Sequence, residues 1–151
     1  MRRVISALLV AIACMAFAPV SANAHCQIPC GIYDDELRMK LIEEHIGTIE
    51  KSMNFVIELG KAKEIDHNQL VRWVNNKDQH ADELSEIVTY YFLTQRVKPE
   101  DKAYDKRLAL LHQMLVAAMK CKQTTELKHV TTLRGLAAEF RALYFAPADH
   151  K

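Results

Sequence analysis

Hydrophobic positions recur at steps of three and four along most of the chain. From about Asp35 to Leu59, residues Leu37, Leu41, Ile42, Ile46, Ile49, Met53, Val56 and Ile57 form one apolar stripe, and Gly60 offers a stop. A second helix is expected after Asp66, an N-cap type, running through Leu70, Val74, Ala81, Leu84, Val88, Tyr91 and Phe92 toward Pro99. Leu108, Leu111, Leu115 and Ala118 mark a third. Leu127, Val130, Leu133, Leu136, Phe140 and Leu143 mark a fourth, capped by Thr124 or Thr125. Amphipathic helices joined by short connections predict an all-α fold, an antiparallel four-helix bundle over about residues 35–146.

Composition agrees. A chain of 151 residues, half of them hydrophobic, has the size and apolar content of one domain, and four Gly and four Pro leave few tight turns. Twenty Lys plus Arg against nineteen Asp plus Glu lacks the basic excess of a nucleic-acid binder, so no such partner is expected.

The N-terminus reads as a leader. Met1-Arg2-Arg3 is positive, Val4 to Ala18 is apolar, and Ala22-Asn23-Ala24 has the small-x-small form of a signal-peptidase site. Pro19 interrupts a run already shorter than a membrane span needs. Residues 1–24 are therefore expected to be removed, giving an exported domain of residues 25–151, periplasmic or extracellular, with no stable membrane association. Cys14 makes a poor lipid-attachment site because Ala11 stands where Leu is preferred, and Arg2-Arg3 lacks the rest of a twin-arginine signal, which leaves the export route open.

Chemistry concentrates at the new terminus. The mature chain keeps Cys26, Cys30 and Cys121, an odd number that cannot all pair within one molecule. Cys121, at a helix end, reads as a small buried hydrophobe. Cys26 and Cys30 bracket a turn containing Pro29; they are either a short disulfide or a pair of metal-binding thiolates. Cleavage after Ala24 adds the free amine and imidazole of His25 and the amide nitrogen of Cys26 to those thiolates, all within six residues. Nitrogen donors with soft thiolates in a flat arrangement suit nickel or copper, whereas structural zinc prefers four side chains in a tetrahedron. Other bundle chemistries find less support: the chain has one Glu-x-x-His pair within an expected helix, Glu126 with His129, where a di-iron centre needs two, and it has no Cys-x-x-Cys-His.

The run His25-Cys26-Gln27-Ile28-Pro29-Cys30-Gly31-Ile32-Tyr33 resembles the N-terminal hook of the nickel superoxide dismutase family, His-Cys-x-x-Pro-Cys-Gly-x-Tyr. The resemblance implies a four-helix subunit, one nickel ion per subunit, superoxide as substrate and a homo-oligomer, a hexamer in that family. It implies that the His25 amine, the Cys26 amide nitrogen and the Cys26 and Cys30 thiolates hold the metal in a plane. The His25 ring would be the axial ligand of the oxidised state, the metal cycling between Ni(II) and Ni(III). It also implies that Tyr33 gates the substrate pocket and that Pro29 fixes the turn, consistent with its restricted backbone angle. Arg72, Lys77, Gln79 and Tyr104 fall in a stretch that looks like the family's second helix and the segment after it.

Three positions depart from the commonest family pattern: Gln27 replaces Asp, Ile28 replaces Leu and Asp35 replaces Pro. Family members orient the axial imidazole with a Glu and an Arg, as a second shell generally must. A gapless count puts Leu41 and His80 at those places, leaving Glu43 and Glu44, together with Arg72 and His80, as candidates. Two other functions keep the same fold: an exported metal-binding protein without turnover, and a helical interaction protein whose Cys26 and Cys30 form a disulfide.

Overall fold

A computed structural model describes residue 29 and residues 31–146. His25, Cys26 and Cys30, and the leader, lie outside the described residues. The described chain forms α1 (Asp35–Gly60), α2 (His67–Glu86) continuing without a break into a π-helix (Ile87–Arg96), α3 (Tyr104–Gln123) and α4 (Leu127–Tyr144). Each helix packs on its sequence neighbours and α1 on α4, closing a four-membered ring.

On α1 the core seam is Met39, Ile42, Ile46, Ile49 and Met53, alternating steps of three and four. Leu37, expected on that stripe, is instead 47 % exposed, and Met39, two positions on, opens the buried seam. Leu84, Val88, Phe92, Leu111, Met114, Leu133 and Phe140 complete the interior. Toward the end where α1 starts, Phe92 sets its ring edge-on to Phe140 and Tyr144 with centroids 5.1 and 5.4 Å away, and those two stack on each other at 5.3 Å.

Two helix starts follow from their caps. Asp34 accepts from the Leu37 N–H at 2.9 Å and Asp66 from the Gln69 N–H at 3.0 Å. The start of α4 differs from expectation: Glu126 is the cap residue and makes no side-chain cap bond. Thr124 Oγ1 accepts from the Glu126 N–H at 3.2 Å, so the threonine shapes the turn before the helix. Gly60 is the last residue of α1 and does not take a left-handed conformation, since Gly31 is the one positive-φ residue among those described. The turn closes through the Lys61 N–H on Glu58 O at 3.1 Å.

The second long helix changes pitch where its sequence turns β-branched and aromatic, Ile87-Val88-Thr89-Tyr90-Tyr91-Phe92. The wider turn shows in bonds reaching five residues back: Val97 N–H to Phe92 O at 2.9 Å, Thr94 Oγ1 to Thr89 O at 2.7 Å and Gln95 Nε2 to Tyr90 O at 2.8 Å. Val97 then turns extended, two residues ahead of Pro99. No helix among the described residues is long and apolar enough to cross a membrane.

Candidate metal centre and its surroundings

The segment leading out of the bundle at the start of α1 is tied down at successive residues. Gly31 has φ +78°, a left-handed backbone that a side chain would strain. Tyr33, 41 % exposed, sets its ring edge-on to Tyr91 at 6.0 Å, with the Arg96 guanidinium 4.5 Å over its face. Its hydroxyl donates to Gln95 Oε1 at 3.4 Å, a long and weak bond. Tyr33 is thus held by its ring while its hydroxyl stays near solvent.

Asp35 anchors the same corner. Its carboxylate accepts from the Tyr91 hydroxyl at 2.5 Å, from Arg96 Nε and Nη2 at 2.8 and 2.7 Å, and from the Tyr144 hydroxyl at 2.8 Å. Burial would raise its pKa, but the bonds from Arg96, Tyr91 and Tyr144 outweigh burial and hold it below the usual carboxylate range. Reciprocally, burial and then the Asp35 bond push the Tyr144 phenol up to about 12. Position 35, one of the departures from the family pattern, therefore joins α1, the π-helix and α4 in one network.

Above this corner a cavity of ≈ 410 Å³ is lined by Pro29, Arg38, His45, Glu83, Glu86, Ile87, Tyr90 and Tyr91. Pro29, the hook's proline, is the described residue that reaches it from the N-terminal segment. Arg38 lies with its guanidinium 5.1 Å from the Tyr91 ring centroid. On the wall between α1 and α2, His45 Nδ1 meets His80 Nδ1 at 2.8 Å, and Glu83 Oε2 lies 3.4 Å from the first and 3.5 Å from the second. Burial, with the neighbouring His80, lowers the His45 pKa against the opposing pull of Glu83 and Glu44, so the ring is neutral near pH 7. Gln79 Nε2 donates to Glu83 Oε1 at 2.8 Å and steadies that carboxylate.

The other sequence candidates scatter. Glu43 is exposed and pairs with Arg141 at 3.4 Å; Glu44 is exposed. Arg72 lines a separate groove with Gln69, Trp73 and Asn76, two helical turns from His80. Lys77 is buried and donates to Asp78 and to the Cys121 and Lys122 carbonyls at 2.6–2.7 Å, tying off the end of α3. Tyr104 packs partly buried against the core. Cys121 is a free, fully buried thiol whose pKa burial pushes up to about 11, which keeps it protonated and a poor metal ligand. Glu126 pairs with Lys128 at the surface, away from any di-iron arrangement.

Sequence reasoning marked Asp35 only as a helix start and a departure from the family pattern, and passed over Arg96 and His45. For the histidines a signal existed: His80-x-x-Glu83 puts two metal-binding side chains on one helical face. For Asp35 none did, because its partners lie more than fifty residues away in sequence.

A family model described as nickel-containing superoxide dismutase matches residues 20–147, which takes in the hook and all four helices. No curated protein and no solved structure matches the chain.

Proposed function

The chain belongs to the nickel-containing superoxide dismutase family, and from that premise we propose that its metal is held by the N-terminal hook, His25 to Cys30, once residues 1–24 are removed. The family makes it an oxidoreductase that dismutates superoxide with a nickel cofactor. The finer assignment rests on one observation above others: the hook signature begins directly after a leader-cleavage site, and its Pro29 lines a cavity at the bundle surface.

The donor set fits nickel. The free amine of His25, the Cys26 amide nitrogen and the Cys26 and Cys30 thiolates would hold the ion, with the His25 ring available as a further ligand. Bound nickel supplies a one-electron couple that takes an electron from one superoxide and returns one to the next, so that two superoxides and two protons give dioxygen and hydrogen peroxide. The remaining work falls to the chain. Gly31 permits the turn after Cys30, and the clamp of Tyr91 and Arg96 on Tyr33 fixes that residue beside the hook. Tyr33, with its hydroxyl only loosely bound to Gln95, is suited to gate small-anion entry. Arg38 has no salt-bridge partner among the described residues and contributes positive potential to the cavity, favouring superoxide approach.

Export to the periplasm or the exterior, and assembly into a homo-oligomer of six, belong to the same proposal. Ile32, 83 % exposed, and Leu37, 47 % exposed, offer apolar surface for subunit contacts.

Metal analysis and superoxide decay on one sample test the assignment. Cys26→Ser or Cys30→Ser should remove nickel and activity together while far-UV circular dichroism stays unchanged, because an alcohol cannot replace a thiolate. Substantial activity in either variant would overturn the ligand set.

A further inference from the structure

We propose that His45, His80 and Glu83 form a second divalent transition-metal site, separate from the hook, which pins α1 to α2 on the wall of the cavity. The inference does not depend on the hook's being correctly assigned.

Three ligand atoms of the right kind converge. His45 Nδ1, His80 Nδ1 and Glu83 Oε2 stand 2.8, 3.4 and 3.5 Å from one another. Imidazole and carboxylate atoms bound ~2.0–2.1 Å from one ion, at angles between about 90° and 115°, lie roughly 2.9–3.5 Å apart. The observed triangle falls close to that range. Two imidazoles with one carboxylate is also the donor set of an open zinc site, in which a fourth position is left to water or substrate. Here His45 and Glu83 both line the cavity, so that position has access to solvent.

Hydrogen bonding accounts for the triangle less completely. A contact between two Nδ1 atoms uses one proton, leaving one ring as donor and the other as acceptor. Glu83 Oε2 then sits near both rings at distances longer than a good charge-assisted hydrogen bond, while its other oxygen takes the Gln79 amide. A single cation would satisfy all three lone pairs at once. The supports are firm, since His45 and His80 come from two helices packed together and Glu83 is one turn from His80 on the same face. The donors are two nitrogens and one oxygen without sulfur, so the class expected is a borderline divalent ion such as Zn²⁺ or Co²⁺.

The test uses the full mature chain carrying Cys26→Ser and Cys30→Ser, which silences the hook thiolates. Zn²⁺ and Co²⁺ are the probes, followed by equilibrium dialysis and by visible absorption of the cobalt form. One equivalent should bind, and His80→Gln or His45→Gln should weaken binding at least tenfold, with Glu83→Gln also weaker. Circular dichroism verifies folding of each variant. If one does not fold, ¹⁵N shifts of the imidazole Nδ1 atoms in the unsubstituted triad decide, since zinc must move both. Absence of stoichiometric binding, binding undiminished by His80→Gln, or binding lost only on His25→Ala would each overturn the proposal, the last by returning the ion to the hook.

Discussion

Asp35 and Arg96, 61 residues apart, form a two-pronged ion pair at 2.7–2.8 Å that closes the corner from which the N-terminal segment leaves the bundle. The pair is largely buried, and the Tyr91 and Tyr144 hydroxyls fill the remaining acceptor sites of the carboxylate. A charge buried in this way stabilises only while all its partners are present.

Asp35→Asn should therefore destabilise the fold by about 2–4 kcal/mol, since it leaves Arg96 without its counter-charge. The pH dependence has a definite sign. A folded-state pKa lowered from its ordinary value gives stability that is full above about pH 4 and is lost as pH falls through the folded value. Thermal melts between pH 7 and pH 2 should show a steep acid loss in the natural chain and a shallower one in Asp35→Asn. Parallel curves would remove Asp35 from the acid response.

Tyr33→Phe separates the ring from the hydroxyl. The ring contacts with Tyr91 and Arg96 survive, and the 3.4 Å bond to Gln95 is too long to contribute much, so stability should change by less than ~0.5 kcal/mol. Nickel content should stay at one per chain while the rate of superoxide decay falls. Unchanged turnover would confine Tyr33 to a packing role.

Much of this architecture was legible from spacing alone. Ile42, Ile46, Ile49, Leu84, Val88, Leu111 and Phe140 are core both by pattern and in the structure, because period and burial are the same property read twice. The misses have physical causes. Leu37 is as apolar as its neighbours but stands two positions before Met39, about 200° round the helix from the buried seam, and ends up exposed. Lys77 is buried because it ties two carbonyls at the end of α3, a long-range partnership that local polarity cannot reveal. The family was readable from the hook motif, whose ligand residues lie outside the described ones, whereas the Asp35 network and the His45–His80 contact exist only once helices meet.

Arg38→Gln tests electrostatic guidance. Arg38 lines the cavity with Glu83 and Glu86, forms no salt bridge among the described residues and touches the fold through the Tyr91 ring alone, so its charge is left to act mainly on approaching anions. The variant should keep its stability and metal but show a severalfold lower kcat/KM for superoxide at low ionic strength. The difference should shrink as salt rises, because screening shortens the reach of the remaining field to about 8 Å at physiological ionic strength. A loss of equal size at high salt would point to a contact role for Arg38.

Leader removal should act as the switch for activity. The His25 amine can donate a lone pair only when no peptide bond occupies it; the bond from Ala24 converts it into a planar amide nitrogen, neutral and weakly donating. The preceding 24 residues would also crowd the approach to the cavity that Pro29 lines. Replacing Ala24 with a bulky residue that signal peptidase rejects should give a chain with normal helical content, no correctly bound nickel and no dismutation. Proteolytic release of His25 from that precursor in vitro, through an engineered site, followed by nickel addition, should restore both. An uncleaved precursor, verified by mass, that holds one nickel per chain and dismutates superoxide at the mature rate would show the terminal amine to be dispensable, and with it the hook as described.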